Sequence, residues 1–140
     1  MNASATDDAD LSSLAARVVA GPVVFAPPDA TRRLGDWLTD VPAPQAAAVD
    51  AIAAQFPRIR TLLEGIAEAS PYLFDLIRAD TDRLIRLLRC RPDAHLAALI
   101  AYAVADVPAA ADQAEAMQLL RRLKAEAALM IALCDIGGVW

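Results

Sequence analysis

The sequence predicts an all-α fold: a single compact multi-helix domain that closes on a long C-terminal helix. Three observations carry this. Alanine, the strongest intrinsic helix former, supplies roughly a quarter of the 140 residues. Nowhere do Val, Ile and Thr alternate with polar residues in the two-residue period of a half-buried strand. Apolar side chains recur instead at three- and four-residue spacing, between breaks made by proline and glycine. Hydrophobic residues make up 57% and aromatics only 5%, so the core is expected to be aliphatic.

Met1 to Asp10 carries Asp7, Asp8 and Asp10 without a basic residue, and reads as a disordered acidic lead, not a secretory signal. The helical domain is expected to run from residue 11 to residue 140. Its first element is a short helix from about Leu11 to Ala20, stopped by Gly21-Pro22. In the loop that follows, Val24 and Phe25 are expected to plug into the core. Asp29 offers an N-cap for a helix that presents Leu34, Trp37 and Leu38 on one face. Pro42 and Pro44 end it, because proline lacks the amide donor and clashes with the preceding turn.

A third helix, from about Pro44 to Gln55, shows Val49, Ile52 and Ala53 at i, i+3 and i+4. A fourth follows Phe56-Pro57, with Ile59, Leu62, Leu63 and Ile66 as its stripe. Ser70-Pro71 sets a hydroxyl cap before a first-turn proline, turning Leu73, Leu76 and Ile77 inward. Asp80 caps the next helix, whose Leu84, Ile85, Leu87 and Leu88 form the core side. Pro92-Asp93 opens an Ala94 to Ala105 helix that is apolar almost all round and so is expected to be central. After Val107-Pro108 comes the longest helix, from about Ala110 to Asp135. There Leu120, Leu123, Ala127, Met130 and Cys134 read as one continuous seam, and Arg122 and Glu126 stand at i, i+4 on another face. Gly137-Gly138 supplies a left-handed stop.

Composition also excludes functions. A formal net charge of -5 argues against nonspecific nucleic-acid binding, which rests on Lys and Arg displacing counterions. The longest uncharged stretch, Ala94 to Ala105, falls short of the roughly 18 apolar residues of a membrane span. A cytoplasmic protein is expected. Cys90 and Cys134 belong to no metal-binding pattern and read as two buried thiols. His95, the only histidine, reads as a core or helix-start residue.

Asp80 and Asp82 have the D-x-D spacing with which nucleotidyltransferases hold metal ions. At a helix start, however, an N-cap and a first-turn acid favour the positive end of the dipole, and this capping role is the expected one. No phosphate-binding glycine loop and no nucleophile-base set occurs. Arg78, Arg83, Arg86, Arg89 and Arg91 form the one basic cluster. It reads first as a solvated face paired with local acids, and otherwise as a contact for an acidic partner.

The run from Leu119 to Trp140, Leu-Leu-Arg-Arg-Leu-Lys-Ala-Glu-Ala-Ala-Leu-Met-Ile-Ala-Leu-Cys-Asp-Ile-Gly-Gly-Val-Trp, resembles a stretch of glutamine synthetase adenylyltransferase. It is similar to the helix just before the catalytic motif of that family's N-terminal half. Ser70-Pro71-Tyr72-Leu73 and Asp80-Thr81-Asp82-Arg83-Leu84 resemble landmarks further upstream, and the likeness extends over roughly Phe56 to Trp140. The resemblance implies a large bifunctional parent with two nucleotidyltransferase domains. One removes AMP from a tyrosine of glutamine synthetase by phosphorolysis, and the other adds it from ATP. Mg²⁺ and ATP are implied for that parent, as are glutamine synthetase, PII signal protein and the remainder of the enzyme as partners.

The family's catalytic motif is of the Gly-Ser-x-Asp-x-Asp type, and Asp80 and Asp82 lack the Gly-Ser. No catalytic, cofactor-binding or metal residue is therefore carried over, and the chain alone is expected to be inactive. It reads as a truncated N-terminal part of a larger nucleotidyltransferase, an expectation strengthened by the apolar ending Ile136 to Trp140. Arg83, Arg86, Arg89, Arg121, Arg122 and Lys124 are the expected interdomain or partner contacts. The alternative reading is a stand-alone helical interaction module that uses the Arg78–Arg91 face.

Overall fold

The computed structural model describes residues 11–140, so the acidic lead lies outside the described residues. These residues form eight helices and no strand. They are α1 (Leu14–Arg17), α2 (Pro27–Asp40), α3 (Ala43–Gln55), α4 (Pro57–Ala69), α5 (Pro71–Ala79), α6 (Thr81–Arg89), α7 (Pro92–Asp106) and α8 (Gln113–Ile136). The all-α class and the long final helix are as the sequence predicts.

Local chemistry sets most boundaries. Proline occupies the first turn of α2, α3, α4, α5 and α7, where its missing N–H has no intrahelical partner to lose. The Ser70 hydroxyl accepts from the Leu73 amide, and the Asp80 carboxylate accepts from the Arg83 amide at 2.9 Å. Each such cap contributes about 1 kcal/mol. Helix α8 stops at Gly138, whose φ of 67° is the left-handed conformation. There the Val139 amide donates to the Cys134 carbonyl and the Gly138 amide to that of Asp135, the paired bonds of a Schellman turn.

Helix α4 is the hub, packed against α2, α3 and α5, while α6 bridges α1, α3, α5 and α8. Their stripes meet in one aliphatic core built from Leu34, Val49, Ile59, Leu62, Leu63, Ile66, Ile77, Leu84, Leu87 and Leu88. The C-terminal third of α8 closes this core with Leu129, Met130, Leu133 and Cys134.

Five expectations are corrected. The first helix is a single turn, because after Arg17 the chain extends and lies as a strap across α4 and the end of α8. Phe25 is 88% exposed and Val24 only half-buried, since this strap is pinned by its backbone amides, which donate to the Glu68 carboxylate from Phe25 and Ala26. Asp29 does not cap α2: Pro27 and Pro28 start the helix two residues earlier, which puts Asp29 in its first turn. Helix α7 is not central. It packs chiefly on α8, and Pro92 is its only fully buried residue. Together α7 and the first half of α8 form a hairpin standing off the bundle, so the apolar seam of α8 is buried only from Leu129 onward, and Leu120 is exposed.

Candidate functional site

The polar groups of the described residues converge most closely where α6, α7 and α8 meet. Glu126 projects from α8 with only 16% of its side chain exposed. Its carboxylate accepts from Arg86 of α6 at 3.3 and 2.8 Å through Nε and Nη2, a bidentate grip. The same carboxylate meets His95 Nε2 of α7 at 2.8 Å. Burial pushes the Glu126 carboxyl up, but the hydrogen bonds from Arg86 and His95 outweigh it and hold the group below the usual carboxylate range. Arg122, at i, i+4 from Glu126, takes no part, and the carboxylate ties three helices together through Arg86 and His95. His95 is a helix-start residue, as its sequence position implies, and here it also anchors α7.

The six expected contact residues do not form one surface. Arg83 is largely buried, and donates to the Leu76 carbonyl while standing 3.5 Å from the Asp80 carboxylate. Arg86 is taken up by Glu126. Arg89 is exposed and has no ion pair among the described residues. Of the flanking arginines, Arg78 lies over the Phe74 ring at 5.8 Å and near Asp75. Arg121, Arg122 and Lys124 project from the exposed half of α8, unpaired among the described residues. The structure therefore leaves free charge at Arg89 and on the outer turns of α8.

An open cleft of about 360 Å³, not foreseen from the sequence, separates α2 from α5. Arg33, Asp36, Trp37, Asp40, Phe74 and Arg78 line it, and the Trp37 and Phe74 rings meet edge to face at 6.0 Å. Its charges are of both signs, and it brings together no nucleophile and base. Among the described residues, no three His, Cys, Asp or Glu side chains cluster so as to hold a metal ion. Asp80 serves as a cap, as its position implies. Cys90 is half-buried and Cys134 buried, and desolvation pushes both thiols up to about 11. No helix of the described residues is long and apolar enough to cross a membrane.

Known proteins resemble this chain along its whole length. It is 58% identical over 139 residues, 98% of the chain, to a bifunctional glutamine synthetase adenylyltransferase/adenylyl-removing enzyme of Rhodopseudomonas palustris. It is 57% identical over 142 residues, the full chain, to the protein of that description from Bradyrhizobium diazoefficiens. At 40% identity over 134 residues it is similar to the one from Xanthobacter autotrophicus. The resemblance read from Phe56 to Trp140 is therefore borne out, and it also takes in the strap and the helices before residue 56. The chain spans 14% of the length of the first two relatives. No family model matches it, and no solved structure does.

Proposed function

We propose that this chain is a non-catalytic, N-terminal helical segment of a glutamine synthetase adenylyltransferase and adenylyl-removing enzyme, and that it buttresses the AMP-removing domain. One observation carries the reading: identity of 57 to 58% along the chain to a segment of proteins so described, of which it makes up 14%. On this reading, the transfer of AMP to and from a tyrosine of glutamine synthetase belongs to domains outside the chain. Mg²⁺, ATP and the PII signal protein belong with those domains too. The chain contributes shape and contact surface. Arg121, Arg122 and Lys124 face the remainder of the enzyme from the exposed turns of α8.

The stand-alone interaction module draws less support from the geometry. Two of its central charges, Arg83 and Arg86, are spent on bonds within the fold, where they contribute stability and not recognition.

The test is to assay AMP removal from adenylylated glutamine synthetase by the full-length polypeptide that carries this segment. An Arg121→Glu/Arg122→Glu double variant is expected to lose removal of AMP while keeping its fold. Unaltered removal overturns the placement of these residues. A wild-type polypeptide that neither adds nor removes AMP overturns the parent reading itself.

A further inference from the structure

The α7–α8 hairpin has two unlike sides. Leu99 of α7 lines one cleft with Leu119 and Leu123 of α8, and the half-buried Leu96 and Ala103 share its side of the helix, which fixes the rotation of the pair. With 3.6 residues per turn, Ala97, Ile100, Ala101 and Val104 then fall on one stripe of α7, at i, i+3, i+4 and i+7. Met117, Leu120, Arg121 and Lys124 repeat that spacing on α8. Because the helices are antiparallel, residues displaced in the same rotational sense from the shared seam emerge on the same side of the hairpin. Ile100 and Val104 thus stand beside Met117 and Leu120. Tyr102 and Arg122 are displaced in the opposite sense, and they line one cleft together on the far side.

The first side is apolar and open: Ile100 is 58% and Val104 72% exposed, and Met117 and Leu120 are exposed as well. Scattered exposed apolar residues need no explanation, but a patch drawn from two helices does. Arg121 and Lys124 stand at its α8 margin without an ion pair among the described residues, and Asp112 lines a cleft with Met117 and Arg121 at its end.

We infer that this side of the hairpin seats a helix from elsewhere in the same polypeptide, one with an apolar face and an acidic flank. The inference rests on the reading of the chain as a segment of a longer enzyme. Three observations select this occupant. Ala97 and Ala101, alternating with the larger Ile100 and Val104, make a ridged surface with room for close approach, which a helix fits by setting its own ridges into the grooves. The two unpaired cations call for carboxylates opposite. The relatives supply the source, since 86% of their length lies outside the matched segment. A second copy of the chain is the rival occupant, which the labelling below tells apart by its dependence on concentration.

Thiol labelling tests this. Val104→Cys places a probe on the apolar side and Ala98→Cys one on the exposed opposite side, while Cys90 and Cys134 are sheltered. In the 140-residue chain both new thiols are expected to react freely with a maleimide. In the full-length polypeptide Val104→Cys is expected to slow by about tenfold or more, as contact worth ~1.4 kcal/mol would give, with Ala98→Cys much less affected. Equal labelling of Val104→Cys in both contexts overturns the inference. So does protection in the 140-residue chain that grows with its concentration, because the occupant is then a second copy. Assay of AMP removal by the unsubstituted full-length polypeptide is a separate readout. It reports on the parent reading whether or not the hairpin is covered.

Discussion

The pyrrolidine ring of Pro22 stands where a Cβ on Gly65 would have to go. Gly65 is buried in the middle of α4, and the strap from Val18 to Ala26 uses the missing side chain to lie close against that helix. Arg58 holds the strap from α4 by donating to the Val19 carbonyl at 2.6 Å, and Glu68 holds it further along. Gly65→Ala is expected to lift Pro22 and cost about 1–3 kcal/mol, as overpacking does. Gly35, in α2, has open space where a Cβ would stand. Gly35→Ala should therefore stabilise by about 0.5–1 kcal/mol through helix propensity. Thermal melts of the two variants should move in opposite directions.

Truncations along α8 should divide its length. Leu133 is fully buried, and Leu133→Ala is expected to cost about 2–5 kcal/mol by opening a cavity. Leu120→Ala, on the same helix but exposed, should change stability by no more than about 0.5 kcal/mol. Urea titrations of both variants check this. Equal losses would mean that the first half of α8 is packed within the bundle after all.

Glu126 should make the fold sensitive to acid. Its carboxyl is held below its ordinary value of 4.5, so the stabilisation is complete above that value and drains away as pH falls through the lower folded one. The stability gap between wild type and Glu126→Gln should therefore narrow as pH drops from about 6 to about 3. Asp93, held low by its hydrogen bonds with Arg17 and Trp140, titrates in the same direction. It is common to both proteins and cancels in the difference. A gap that stays constant with pH would show that Glu126 is not held low in the fold.

The two thiols respond to alkali in the opposite sense. Both are raised from 9.0 to about 11, so their contribution is complete below the unfolded value and is lost as pH climbs between the two. Near neutrality neither is a thiolate, the form that attacks. A disulfide reagent is expected to label both Cys90 and Cys134 slowly in the folded chain and rapidly in urea.

What was legible in the sequence was mostly written within one or two turns. Ser70 and Asp80 announce caps because a short polar side chain before an apolar run has few other uses, and Gly138 announces a stop because other residues resist its φ. The stripe from Ile59 to Ile66 is read from spacing alone. Helix α7 stands apart from its expected central place because an apolar composition does not say which neighbour, if any, covers the helix. Glu126 was missed as a node since its partners lie 31 and 40 residues away, whereas Arg122 stands at the familiar spacing. Phe25 shows the limit of reading hydrophobicity in a loop, where backbone hydrogen bonds and not the ring decide the path.

The Schellman turn that closes α8 does a second service: its Gly137 carbonyl accepts from both Val19 at 2.9 Å and Ala20 at 3.0 Å. The earliest described segment is thus completed by almost the last. During synthesis the strap leaves the ribosome without its acceptor and must wait on the order of 10 s, at ordinary elongation rates, for Gly137 to be made. Until then only Arg58 and Glu68 of α4 hold the strap. The segment should therefore reach its native form late and in one step, and nascent chains stalled short of Gly137 should be far more open to proteases than chains released at full length.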